Sequence, residues 1–313
     1  MFALRGLAVS FSVFVVVYSL MSVAISLTWN KVKELSEWQR ASDLADVLFA
    51  LRLLPFSAAV LVTVLFAIPS FLLLEPHNIV EPLGGFSLAL GICGLAVASL
   101  GVANVLVALR SASRTISAWV GCAEPVLCPS PVPVLRAVKG APPMTAVGIV
   151  RSRILLSGKA ELLLNRSEFQ SALKHEIAHV RRRDNLRKLL FRFVVFPFMN
   201  GLETAWLNAT EMAADDSAVS NPAEALDLAA ALIKLSRLGS IESSAMLNMS
   251  LVHSPVSLVN ERVERLIHWT SQLQSAPRHP QYWVGAGSAF VVLALSYGHL
   301  LVAVHAATEW IVR

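Results

Sequence analysis

Four apolar runs carry no charge, and each exceeds the roughly 20 residues a helix needs to cross a bilayer. They run from Gly6 to Asn30, Leu53 to Leu74, Leu83 to Leu109 and Tyr282 to Thr308. Lipid offers no water to satisfy a backbone amide or carbonyl, so each run is confined to helix. Composition agrees with that constraint. Charged residues are 15% of the 313, hydrophobic residues 55%, and mean hydropathy is +0.62. A soluble domain carries roughly 25% charged residues. The same figures exclude intrinsic disorder, a collagen-like repeat and a disulfide-stapled secreted scaffold. The expected class is a mainly α integral membrane protein with four transmembrane helices.

The first run is too long for a signal peptide, lacks a small-x-small cleavage site and is followed by more positive charge than precedes it, so it reads as a retained span. Orientation follows from Lys and Arg in the short loops. Lys31, Lys33, Arg40 and Arg52 follow the first run, whereas Glu75 to Pro82 holds two acids and no Lys or Arg. The expectation is a multi-pass protein of the cell (inner) membrane with its N-terminus outside, its polar region in the cytoplasm and its C-terminus outside. Arg5 is the one charge on the wrong side. The expected division is a three-span region at 1–110, a cytoplasmic domain at 111–281, and a fourth helix with a short tail at 282–313.

Net charge is +5 and pI about 9.4. Of the 26 Lys and Arg, 20 lie between Arg110 and Arg278, with 14 of the 21 acids. That mild basic excess suits a domain held against anionic membrane lipid, and no nucleic-acid-binding motif accompanies it. Cys93, Cys122 and Cys128 cannot pair evenly and read as unpaired thiols. Within the polar region, the Pro-rich stretch Cys128 to Pro143 reads as an extended linker or edge strand, and Val147 to Leu156 as a strand or hairpin arm. From Arg166 the pattern is helical, with Ser167 as a cap and Phe169, Leu173, Ile177 and Val180 at helical spacing. Phe193 to Leu202 is apolar but too short to span, so it reads as buried or membrane-grazing. Further helices are expected over Glu203 to Val219, Ala223 to Leu238 and Ser257 to Trp269.

The chemistry lies in LKHEIAHVRRRDN. His175 and His179, four apart on a helix, share a face and can reach one metal ion. Glu176 sits about 100° around the helix from His175, close enough to act on a water at the metal without ligating it. A catalytic zinc needs a third protein ligand. ATEMAADDSAV supplies it on a later helix: Glu211 is the natural ligand, and Asp215, one turn on, can accept a hydrogen bond from a ligand imidazole. Asp216 faces elsewhere. The basic run Arg181, Arg182, Arg183, Arg187, Lys188 and Arg192 has two readings, recognition of acidic segments or lipid headgroups, and a solvated juxtamembrane face, the second being favoured.

HEIAHVRRRDN followed by EMAADDSAV resembles the gluzincin pattern of membrane metallopeptidases, and the run from Arg153 to Asn185 resembles the BlaR/MecR-type peptidase family. The resemblance implies a cytoplasmic α+β zincin-like domain inserted between the third and fourth spans. It also implies one Zn2+ and endopeptidase activity on a protein substrate, with a transcriptional repressor or a separate sensor protein as partners. The family's extracellular penicillin-binding domain has no counterpart in these 313 residues, so a different stimulus is expected. The stretch HSPVSLVNERVERL also echoes the HtpX and CAAX-endopeptidase group, in which a quality-control role is the alternative. By that likeness His253, or Arg262, would steady the oxyanion. A third reading, of another class, is a non-catalytic signalling module stabilised by zinc; Glu176 speaks against it, since a structural site has no use for a general base. The implied chemistry is metal-assisted amide hydrolysis with Glu176 as base. The substrate is expected to add as a strand beside Val147–Leu156.

Overall fold

The structure is a computed structural model that describes residues 2–35, 40–75, 84–121, 123–137, 140–194, 199–242, 256–269 and 296–312. Among the described residues, three helical stretches are long and apolar enough to cross a membrane. The first is Phe2–Trp29, within α1 (Phe2–Leu35). The second, Ala41–Leu74, joins α2 (Ala41–Val62), a π-helical segment (Thr63–Ala67) and α3 (Ile68–Leu74). The third is α4 (Gly85–Val120). The π segment has a sequence cause. Pro69 lacks an N–H and crowds the carbonyl four residues back, and widening the helix relieves the clash. That carbonyl, Leu65 O, instead accepts the Tyr297 hydroxyl at 2.8 Å. Of the fourth apolar run, residues 297–308 lie in α11 (Tyr297–Val312) and residues 282–295 fall outside the described residues.

α1 and α4 pack closely because glycine faces backbone: a Cβ at Gly94 would stand 2.3 Å from Phe11 O, and one at Gly91 3.0 Å from Ala8 O. Arg5 is paired with Glu75 at 2.9 Å, which neutralises the charge that sat against the loop asymmetry.

A four-stranded sheet follows, with β1 (Glu124–Pro125), β2 (Val134–Ala137), β3 (Met144–Val147) and β4 (Arg153–Ser157) in the order β1-β2-β4-β3. β2 and β4 run parallel, while the outer pairs are antiparallel. The Pro-rich stretch is therefore neither linker nor edge where it contains β2, because β1 covers its outer side. Val147 to Leu156 is a hairpin whose turn needs Gly148: its φ is 90°, and a Cβ there would meet Arg151 O at 2.5 Å. Side chains alternate across the sheet. Ile154, Leu156, Val134 and Met144 pack on α6 (Arg166–Arg182) and on Ala231 of α9 (Pro222–Glu242). Leu155, Ala137 and Val147 pack on Trp119 at the end of α4.

After the short α5 (Gly158–Leu163), α6 begins at Asn165, not Ser167. Asn165 Oδ1 accepts Glu168 N–H at 2.8 Å and Glu168 Oε2 accepts Asn165 N–H at 2.9 Å, a reciprocal capping box. Lys234 of α9 closes on Glu168 at 2.7 Å. Burial would raise the Glu168 carboxyl, but the Lys234 ammonium and the Asn165 amide hold it below its ordinary value. The resulting stability is present above the unfolded carboxylate range and is lost as pH falls through the folded value. Glu168→Gln is expected to lower stability at neutral pH by about 1 kcal/mol and to flatten the acid limb. Thermal unfolding in detergent across pH checks this, and an unchanged acid limb would contradict it.

α7 (Asp184–Phe193), α8 (Asn200–Ala218), α9 and α10 (Val256–Ile267) complete the polar region. Phe191, Leu202 and Trp206 share one core with Ile25 of α1 and with Ala45 and Leu48 of α2. Val194, Met199 and Leu202 are buried, and residues 195–198 lie outside the described residues. The spans and the polar region are thus joined by a continuous apolar core. Arg52, buried on α2, donates to Val194 O at 2.7 Å. Arg187 and Arg182 reach Asp46 on α2 at 2.6 and 3.5 Å. Part of the basic run therefore docks α7 on α2.

Candidate metal centre

α6 presents His175 and His179 on one face, as their spacing requires, and α8 brings Glu211 to them. His175 Nε2 lies 3.1 Å from His179 Nε2 and 3.6 Å from Glu211 Oε2; His179 Nε2 lies 3.7 Å from Glu211 Oε1. The three ligand atoms fall within 4.8 Å of one another. Two ligands about 2.1 Å from a tetrahedral zinc stand roughly 3.4 Å apart. The cluster has those dimensions.

The neighbours of His179 aim its Nε2 at the cluster, while Arg262 Nη2 approaches His175 Nε2 at 3.4 Å. His179 Nδ1 contacts Asp184 Oδ2 at 2.7 Å. A carboxylate only accepts, so Nδ1 carries the proton and the Nε2 lone pair faces the cluster. His175 Nδ1 stands 2.9 Å from Asp215 Oδ1 without reaching hydrogen-bond geometry. Among the described residues, Glu176, Glu211, Asp184 and Asp215 gather about the site, with Arg262 paired to Glu211 and Asp215 and Arg182 to Asp184. Two facing ring nitrogens amid an excess of carboxylate call for a cation. The same field acts on His175: burial opposes its charged form, yet Asp215 and Glu211 push its pKa up to about 9. Glu211 is held well below the carboxylate range, because His179, His175 and Arg262 outweigh the burial that would raise it. The donor set, two imidazoles and one carboxylate, fits zinc.

Arg262, buried on α10, donates to Asp215 through Nε at 2.7 Å and Nη2 at 2.7 Å, and to Glu211 Oε2 at 2.9 Å. Its Nη2 also reaches His175 Nε2 at 3.4 Å, so the guanidinium bridges α10 to both α8 and α6. His253 lies outside the described residues. Asp216 points away from the site to Arg265 at 2.8 Å, as its helical position implied.

Glu176 Oε2 accepts the Ala146 amide at 2.6 Å, so the edge strand β3 positions the carboxylate beside the cluster. Ala146 O and Gly148 O each accept Asn185 Nδ2 at 3.1 Å. The strand expected to receive substrate is therefore displaced. β4 is interior, residues 148–152 form the turn, and β3 is the edge that meets α6.

Asp184 lies 3.7 Å from Arg182 Nε as well, and its contact with His179 is one that helical spacing does not give. In an unbroken helix, position i+5 points away from His179. Arg183 breaks it by adopting the left-handed conformation, φ 55° and ψ 41°, which turns α7 back and brings Asp184 under the imidazole. A non-glycine residue there is strained by about 1–2 kcal/mol. Arg183→Gly is expected to raise the unfolding temperature and Arg183→Val to lower it; equal melting of all three proteins would sink this account.

Comparison with known proteins comes to the same region. Residues 138–266 match the family model described as BlaR1 peptidase M56, a metallopeptidase family, and that stretch contains the whole cluster. The match agrees with the resemblance carried by HEIAHVRRRDN and EMAADDSAV. No curated protein and no solved structure matches the chain significantly.

Proposed function

We propose that this chain is a membrane-embedded zinc endopeptidase that cuts a cytoplasmic or juxtamembrane protein in regulatory signalling. The observation that carries the reading is the convergence of His175, His179 and Glu211 with Glu176 held beside them by β3. Zinc held by these three side chains would polarise the scissile carbonyl and bring a water's pKa toward about 7. The chain's own residues do the rest. Asp184 sets the orientation of the His179 imidazole, Asp215 lies 2.9 Å from the His175 ring, and Arg262 steadies Glu211 and Asp215. Glu176 accepts the proton of the attacking water and passes it to the leaving nitrogen. The Lys and Arg asymmetry of the loops puts this region on the cytoplasmic side, with a fourth span completing the membrane part.

The test compares membranes from cells carrying wild type and Glu176→Gln, mapping new protein N-termini by mass spectrometry and zinc content together. A few termini confined to wild type are expected and would identify the substrate. Many would indicate general quality control of membrane proteins, and none, with zinc bound in both, would reject an active peptidase.

A further inference from the structure

The membrane helices line an open groove of about 510 Å³, within the range of sites that hold small ligands. α1 lines it from Phe2 to Phe14, the second span from Phe56 to Leu72, and Ala98 of α4 and Phe193 of α7 complete the wall. From Phe2 to Phe14 the lining runs roughly 18 Å at 1.5 Å per residue, close to one leaflet of a hydrocarbon core about 30 Å thick. The wall is apolar apart from hydroxyls such as that of Thr63, which is buried in the π segment without a hydrogen-bond partner. Such a wall excludes water. Its lining comes from the membrane spans and the end of α7, where lipid chains are the solvent.

α7 ties this groove to the metal centre. Its last residue, Phe193, stacks edge-on against Phe56 at 5.0 Å, and Phe56 does the same against Phe14 at 5.8 Å. A Cβ at Gly101 would lie 2.5 Å from Phe193 O, so α4 leaves no slack behind that end of the helix. At the opposite end, Asp184 holds His179 and Asn185 holds β3. A ten-residue helix is a rod of roughly 15 Å, and a shift at Phe193 is carried to Asp184.

We propose that the groove binds one acyl chain of a bilayer phospholipid, and that α7 transmits its occupancy to His179 and β3. Binding stands independently of the peptidase reading; only its consequence for catalysis rests on that reading. The test uses the full chain in phospholipid nanodiscs containing a lipid with a diazirine on its acyl chain. Labelling should concentrate on the peptides containing Phe14, Phe56 and Thr63. Ala98→Trp and, separately, Val60→Trp should reduce it about tenfold. In the same discs, with metal chelated, amide exchange at Asp184 to Leu186 should differ between wild type and both variants. Uniform labelling that neither variant alters would overturn the site. So would a disulfide between Val64→Cys and a cysteine placed within residues 270–295, which would show the groove filled by the chain itself. Specific labelling with unchanged exchange would overturn the coupling through α7. Substrate cleavage enters none of these readouts, so a failed peptidase reading cannot be mistaken for a failed site.

Discussion

Purified Glu176→Gln protein should bind as much zinc as wild type and cleave its substrate roughly 10²- to 10⁴-fold more slowly, the span that general acid–base catalysis contributes. Glutamine is the informative replacement because of what Glu176 touches. Its Oε2 accepts the Ala146 amide at 2.6 Å, and an amide carbonyl can accept the same N–H. β3 therefore stays in place and the side chain keeps its position, while the ability to take a proton is lost. His175, His179 and Glu211 are left intact, so metal content separates loss of the base from loss of the site. Single-turnover cleavage and metal analysis on the same preparation check the prediction. Cleavage within threefold or so of wild type would remove Glu176 from the chemistry.

Arg262→Leu should be the most destabilising single change in the polar region, by about 3–5 kcal/mol. The guanidinium is 4% exposed, and Asp215, which it grips with two nitrogens, is 1% exposed. Burial opposes ionisation of Asp215, and Arg262 is the main partner that nonetheless holds the carboxyl below its usual value. Removing the cation strands that charge, and Glu211 loses a partner with it. The double variant Arg262→Leu with Asp215→Leu should recover part of the loss, because a buried ion pair replaced by apolar volume is often close to neutral. Thermal unfolding is measured with metal chelated, so that changes in zinc affinity do not enter. A single variant as stable as wild type, or a double variant no better than the single, would contradict the account.

Local periodicity made much of this legible. Three charge-free runs correspond to three long apolar helices, since a backbone in lipid has no alternative to helix. His175, His179 and Glu211 could be assembled from spacing alone: i and i+4 share a helix face, and two imidazoles create demand for a third ligand. Asp215 followed, one turn beyond Glu211. The N-cap of α6 was misplaced by two residues, because Asn165 and Ser167 are both good caps and only the Glu168 geometry separates them. The interior position of β2 was hidden by its prolines, Pro129, Pro131 and Pro133, which precede the strand rather than interrupt it.

The sequence by itself determined the membrane class and the helical spacing that sets His175 and His179 on one face, because each depends on residues within one helix or on the solvent that a helix must face. Only the tertiary structure decided the residues that support them. Asp184 reaches His179 through a left-handed arginine that no propensity would place there. Arg262 acts on residues of another helix, Asp215 and Glu211, about fifty positions earlier in the chain. β2 is interior only because β1 covers it, and β3 is an edge because β2 holds the other side of β4. Those placements depend on which elements pack together, and packing between distant segments leaves no period in the chain.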